Sequence, residues 1–383
     1  MRILILGSKE YPMGANQGED QQPSGGIEVY VDTLVKKLTQ KSSLEFLIIT
    51  RRFKGTARHE KKDKIEIYRV GWLRGFYFRN LTFNLMGFIK ALSLDFDLIF
   101  SQDIFATLFG FFLSKVKKKP LIAVVHGTAS EQPQYPRLLR QVLKRLEIFT
   151  FQKPDHIISL SPEPKKNLER YVGLTERWSV IPFGVEIEKF ENIEKRAAKR
   201  NLGLDPDVVV ITFIGRLLKV KGTSYLIEAL SKIKHDFVAL IVGSGPDEAD
   251  LKRMAENKGL KGKVRFLGFR PDVPEILAAT DIYVLPSLSE GLSISLLEAK
   301  AAGCACVVTD IGLPVKDGKT ALVVKPKAPD ELSLALNRLI TNEELRKTLG
   351  ENARKDITEN YDWSNIIDKY IEIFSTLPSY TTL

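Results

Sequence analysis

Cysteine is almost missing: among 383 residues only Cys304 and Cys306 occur, in one Cys-Ala-Cys run. That excludes a disulfide scaffold and fits no zinc spacing; a disulfide within this strand-opening run is not expected, and a reducing, cytoplasmic setting is the default. Metal-ligating clusters are lacking as well. Asp95-Phe-Asp97 and Asp205-Pro-Asp207 have an Asp-x-Asp spacing that some metal-dependent enzymes use. The first leads into a strand and the second lies in a loop before one, so both are read as chance, and no metal or cofactor is expected. Long apolar runs are absent too. The opening Met1-Arg-Ile-Leu-Ile-Leu-Gly7 loses its apolar character after four residues and is read as a buried strand rather than a signal peptide. Ile104 to Leu113 falls well short of the roughly 20 residues a membrane-spanning helix needs. No Gly-x-Gly-x-x-Gly fingerprint appears, which counts against a dehydrogenase. Short repeats and low-complexity segments are not seen.

What is present is apolar content of 44% in alternating short runs. Such a length supports two cores, in domains of roughly 150 to 200 residues each. Strands are expected near 2–7, 44–50, 65–70, 97–101, 121–126 and 156–161, then near 208–215, 237–243, 264–267, 282–286, 306–309 and 321–324. Helical segments between them predict an α/β chain of two Rossmann-like, doubly wound domains. The joint is placed at Ser179-Val-Ile-Pro-Phe-Gly-Val-Glu186, where a strand ends in Pro and Gly. Domains of 1–184 and 185–362 follow, with an amphipathic helix at 363–377 expected to pack back on the first. A long polar loop, Ser8 to Ser24, follows the first strand, and loops of that length commonly serve function.

Charge is uneven. Residues 1 to 180 hold 29 Lys+Arg against 18 Asp+Glu, whereas 181 to 383 hold 28 against 29. The net +10 therefore belongs to the first half, which is expected to meet something anionic. Lys115 to Lys119 and the basic amphipathic stretch Arg137 to Phe149, with Phe76-Tyr-Phe78, read as elements of a membrane surface. An anionic membrane is thus the expected macromolecular partner, and a peripheral place on the inner membrane face the expected location. Nucleic acid is not expected, because no basic run is interleaved with aromatics and no nucleic-acid module is evident.

Candidate ligand positions fall at strand ends, where open α/β sheets bind. Gly25-Gly26 closes the long loop and opens a helix; His126-Gly127 follows a strand. Gly215-Arg216 through Lys221-Gly222 places cations after the first strand of the second half. A guanidinium can grip a diphosphate and an ammonium can neutralise it. Gly243-Ser-Gly245 is another glycine turn. In Glu290-Gly-Leu-Ser-Ile-Ser-Leu-Leu-Glu298, one carboxylate lies on a loop and a second is expected in the first turn of a helix. A helix start suits phosphate and neighbouring carboxylates accept from sugar hydroxyls, so a nucleotide-sugar carries the complementary groups. Ser295-Leu-Leu-Glu298 also matches a capping box, which would assign Glu298 a purely local task.

These positions, together with Ile181-Pro-Phe-Gly-Val-Glu186 and Val264-Arg-Phe-Leu-Gly-Phe269, resemble in order and spacing the family 4 retaining glycosyltransferases, from the first strand to about Ala321. The resemblance implies a GT-B fold, two Rossmann-like domains facing a cleft, and metal-independent transfer from a UDP- or GDP-sugar to a saccharide, lipid or lipid-linked acceptor. It implies catalytic parts for His126, Arg216, Lys221 and Glu290. It further implies that Glu298 receives the ribose hydroxyls and that Phe269 lies by the nucleobase. Gly25, Gly26, Gly127, Gly215, Gly243, Gly245, Gly291, Leu292 and Ser293 would line the substrates. Three departures stand out: the short Leu313-Pro-Val-Lys before Asp317-Gly318, Ala321 where glycine is usual, and Lys300 where methionine is common. A nucleotide-sugar epimerase of the same fold and a non-catalytic anion or nucleic-acid binder are the alternatives.

Overall fold

The computed structural model describes residues 1–12, 26–73, 78–127, 136–172, 176–290 and 293–377. They form two units, Met1–Phe183 with Ser364–Leu383, and Gly184–Trp363.

The first unit is built on strands β1 (Arg2–Leu6), β2 (Glu45–Arg51), β3 (His59–Lys62), β4 (Ile65–Val70), β5 (Leu98–Ser101), β6 (Leu121–Val125), β7 (His156–Ser159) and β8 (Trp178–Val180). Their order is β3-β4-β2-β1-β5-β6-β7-β8, and every pairing but β3 with β4 is parallel. Central strands covered on both faces need unbroken apolar runs. Ile3 to Leu6, Phe46 to Ile49 and Leu121 to Val125 supply them, all buried. Helices α1 (Gly26–Lys41), α2 (Arg79–Ala91), α3 (Ile104–Lys117), α4 (Arg137–Phe151) and α5 (Pro162–Val172) connect the strands. Strand β3 was not expected: its His-Glu-Lys-Lys side chains are all exposed, so no apolar alternation betrays it.

In the second unit β9 (Val210–Ile214), β10 (Val238–Val242), β11 (Val264–Gly268), β12 (Ile282–Leu285), β13 (Ala305–Thr309) and β14 (Leu322–Val324) form a parallel sheet ordered β11-β10-β9-β12-β13-β14. Helices α6 (Lys195–Asn201), α7 (Thr223–Leu230), α8 (Glu248–Asn257), α9 (Val273–Ala279), α10 (Ile294–Ala301), α11 (Pro329–Thr341) and α12 (Glu343–Asn360) belong to it. Alternate residues of β13 enter opposite cores: Ala305 and Val307 one, Cys304, Cys306 and Val308 the other. The two cysteines therefore share a face as buried free thiols.

The last helix, α13 (Trp363–Thr376), returns to the first unit, where the Tyr370 and Tyr30 hydroxyls lie 2.8 Å apart and the Phe374 ring meets Phe100 at 5.3 Å. Each sheet has one point where successive connections change direction, between β1 and β5 and between β9 and β12. Crevices for ligands open at such points, beyond the carboxyl ends of the strands.

Candidate active site

The reversal point of the second sheet holds a tight polar cluster. Lys221 leaves the loop after β9, and its Nζ donates to both oxygens of Glu290, at 2.6 and 2.7 Å, from the loop after β12. Ser287 Oγ donates to the same carboxylate at 2.7 Å. Backbone geometry forces the approach: Gly222 has φ +67°, and a Cβ there would lie 1.9 Å from Pro286 O. Leu288 N donates to Val220 O at 2.7 Å, closing the two loops together. Arg216, half-buried, begins the same β9 loop. Gly243 and Gly245, after β10, press against that loop's backbone, since their Cβ atoms would stand 2.0 Å from Gly215 O and 2.3 Å from Leu217 O. Their immediate task is thus backbone contact. Phe269, just past β11, is 72% exposed although large and apolar. The ends of β9, β11 and β12 thereby carry cationic, aromatic and acidic groups, and the glycines after β10 pack against the first.

Glu298 belongs to α10, whose place is fixed from below. Ser295 Oγ donates to Ile214 O at 3.0 Å and receives the buried Tyr283 hydroxyl at 2.8 Å. Both Glu290 and Glu298 act electrostatically on that hydroxyl. The capping-box expectation is corrected here. Ser293, not Ser295, caps the helix, its Oγ accepting from Leu296 N, so Ser295 is committed to β9 and β12. Counting from Ile294, Glu298 lies in the second turn rather than the first, too far to close a box. Among the described residues its carboxylate has no hydrogen-bond partner. Burial pushes its pKa up to about 7, and only Lys189 pulls the other way.

In the first unit, His126 follows β6 and its Nε2 lies 3.0 Å from Gln102 Oε1. Gln102 directly follows β5, is 1% exposed, and donates its backbone N–H to Leu6 O at 2.9 Å. Gly7 makes room for it, having φ +95° and space for no Cβ beside Ala106 and Gln102. The imidazole also meets Tyr30 edge-on at 4.9 Å. Burial first, then Lys9, holds its pKa down at about 3, so the ring is neutral at physiological pH. Gln102 was missed in the sequence because a lone Gln before an N-capping Asp103 carries no motif. Gly26 opens α1, and among the described residues nothing lies within 4 Å of a Cβ placed there. Gly127 is exposed; Gly25, Gly291 and Leu292, like Phe76 and Tyr77, lie outside the described residues.

A family profile described as Glycosyltransferase Family 4 matches residues 24–189, and one described as Glycosyl transferases group 1 matches 194–356. An uncharacterized glycosyltransferase of Methanocaldococcus jannaschii is 30% identical over 390 residues, covering 92% of this chain and 95% of its own. The chain is a family 4 glycosyltransferase. The UDP-Gal:alpha-D-GlcNAc-diphosphoundecaprenol alpha-1,3-galactosyltransferase of Escherichia coli is 33% identical over 66% of this chain and 68% of its own. An N,N'-diacetylbacillosaminyl-diphospho-undecaprenol alpha-1,3-N-acetylgalactosaminyltransferase of Campylobacter jejuni is 31% identical over 76% and 80%. In fold, a sucrose-phosphate synthase from Thermosynechococcus elongatus superposes with TM-score 0.82 at 21% identity, covering 98% of each chain. An Anabaena protein solved with UDP-glucose gives 0.79 at 21%, over 98% of this chain and 100% of that one.

The glycosyltransferase thus has the GT-B fold, and its second unit brings Lys221 and Glu290 into contact, while Glu298 on α10 acts on the same Tyr283 hydroxyl as Glu290. One family departure gains a structural reason. Lys300 is wholly buried, bonded to Asp356 of α12 and donating to Pro314 O at 3.3 Å, so it ties the short 313–316 loop to two helices. Among the described residues no group of three or more His, Cys, Asp or Glu could hold a metal ion, and no helix is long and apolar enough to cross a membrane.

Proposed function

We propose that this glycosyltransferase moves a sugar, with retained configuration and without a metal, from a UDP- or GDP-sugar to a lipid-linked acceptor at the inner face of a membrane. The observation that carries the donor half is the pairing of Lys221 with Glu290 at the reversal point of the second sheet. Glu290 holds the ammonium where a diphosphate would arrive, and Arg216 begins the same loop. As the C1–O bond to the diphosphate breaks, these cations take up the negative charge that builds on the leaving oxygen, and preorganised charge is the largest aid a site offers such a step. The acceptor oxygen bonds to C1 from the same side, and its proton passes to the departing phosphate. Glu298, half-buried and without a hydrogen-bond partner among the described residues, receives ribose hydroxyls; exposed Phe269 offers its face to the base. Neutral His126, steadied by Gln102, is a hydrogen-bond partner for the transferred sugar. Gly26, uncrowded among the described residues, suits close approach of a phosphate.

The acceptor half leans on the basic first unit and on two relatives named for diphosphoundecaprenol-linked acceptors. The test is a thermal-shift panel of UDP-, GDP- and ADP-sugars, in which a donor at a hundredfold its Kd stabilises by about 2.7 kcal/mol. Transfer to a polyprenyl-diphosphate saccharide is then followed with and without EDTA, and the product anomer read by NMR. Failure of every donor to stabilise, or epimerisation without acceptor, overturns the reading.

A further inference from the structure

Helix α2 exposes an apolar stripe. Phe78, Leu81, Leu85, Ile89 and Leu92 recur every three or four residues along it, with Met86 alongside, and they are 62%, 38%, 41%, 51%, 38% and 42% exposed respectively. The opposite side of the helix, Phe83, Asn84, Gly87 and Ala91, is already buried. Such a stripe runs about 20 Å at a helical rise of 1.5 Å per residue. Contiguous exposed apolar surface of this kind marks an interaction site.

The neighbouring helices show what it meets. Helix α2 packs beside α3, and α3 beside α4, on the same layer. Along α3 Phe112 and Val116 are exposed, and along α4 Leu138, Val142 and Phe149. Cations stand among them: Lys115, Lys117, Arg137, Arg140, Lys144 and Arg145. The acids of the same helices are withdrawn, Glu147 buried in α4 and Asp103 capping α3 from below its first turn. Lys144 and Lys153 hold their ammonium groups over the Tyr171 and Phe149 rings, 3.8 and 4.8 Å from the centroids, so cationic and aromatic groups are interleaved on this face. A second copy of the chain would oppose like charges around the stripe, whereas an anionic bilayer satisfies both the apolar and the basic parts.

We infer that the α2 stripe inserts into the acyl boundary of an anionic membrane, with the cations of α3 and α4 seated on the headgroups. This deepens the membrane reading above: electrostatics alone would give binding that salt removes, and insertion gives binding that persists. The experiment floats the full chain with vesicles of phosphatidylcholine containing 30% phosphatidylglycerol, at 0.1 and 1 M NaCl. Wild type is expected to stay bound at 1 M salt, weakened less than tenfold. Leu85→Gln with Ile89→Gln, both exposed and so harmless to folding, is expected to bind at 0.1 M but to fall at least tenfold at 1 M. Lys144→Gln with Arg145→Gln is expected to weaken low-salt binding by less than tenfold and to match wild type at 1 M, where the charges are screened. Complete release of wild type by salt, or unchanged binding of the Leu85/Ile89 variant, overturns insertion while leaving the peripheral reading standing. No vesicle binding at either salt overturns both. A wild-type dimer in light scattering that the Leu85/Ile89 variant lacks overturns the proposal in favour of a self-interface. Donor stabilisation in the same variants, measured without lipid, is expected to match wild type and keeps the catalytic reading separate.

Discussion

Replacing Glu298 by Gln is expected to stabilise the ligand-free protein and at the same time weaken its grip on donor. The carboxyl titrates near 7 in the folded protein against an ordinary 4.5, because burial disfavours its charged form. Below pH 4.5 both folded and unfolded chains hold the proton and the group costs nothing. Between there and 7 the unfolded chain releases its proton while the folded one retains it, so stability declines as pH rises. Above 7 the full penalty applies, about 3 kcal/mol from the difference between the two values. Glutamine has the same shape and no charge. The Glu298→Gln variant should therefore match wild type at pH 4 and exceed it by roughly 2 to 3 kcal/mol at pH 8. Urea melts of both proteins at the two pH values, without nucleotide, provide the assay. A variant no more stable than wild type at pH 8, or equally stabilised at pH 4, refutes the argument. The binding arm runs the opposite way. A charged acceptor of hydroxyl hydrogen bonds contributes about 1.5 to 3 kcal/mol, so donor affinity should fall at least tenfold in the variant. In wild type it should weaken as pH drops below 7.

Lys221→Ala leaves the mostly buried Glu290 without its ion pair and is expected to cost about 2 to 3 kcal/mol, whereas Lys221→Ala with Glu290→Ala should cost less than the sum of the single changes; a double-mutant cycle with no coupling would contradict the pairing. Gly222→Ala and Gly318→Ala share φ +67°, but only the first would drive a Cβ into a carbonyl oxygen, at 1.9 Å. The Gly318 change should cost about 1 kcal/mol and the Gly222 change several, or prevent folding, as read from melting temperature. The His126 ring, held down at about 3, should remain neutral by NMR to pH 4. Gln102→Leu should lower kcat through loss of ring orientation while leaving donor stabilisation intact.

Parallel sheets and their helices were legible because buried strands leave unbroken runs such as Val238 to Val242, and strand ends such as Gly215-Arg216 follow directly from them. Features set by tertiary partners were not. Ser295 and Ser293 are equally good caps in sequence; only the Tyr283 hydroxyl and Ile214 carbonyl decide that Ser295 is spent elsewhere. Lys221 and Glu290 are 69 positions apart and meet because β9 and β12 are neighbours, a fact of strand order rather than of local pattern. Likewise, Lys300 stands out in sequence only as a departure where methionine is common, and its partner Asp356 lies 56 positions away on α12. Strand β3 is held to β4 by backbone pairing and by partners such as Glu66 and Tyr68 for His59 and Arg69 for Glu60, none of which its own His-Glu-Lys-Lys run discloses.

The first unit is discontinuous in sequence, needing Tyr370 and Phe374 beneath Tyr30 and Phe100. A ribosome making this protein emits nearly all of the first unit before the second, yet the aromatic floor of the first is absent until α13, made after the second unit, emerges. The later-made unit, Gly184–Trp363, is contiguous and can mature before its predecessor. Until then the nascent first unit leaves Phe100 and Tyr30 without their cover, a natural client for chaperones, and any stop codon ahead of α13 strands it in that condition.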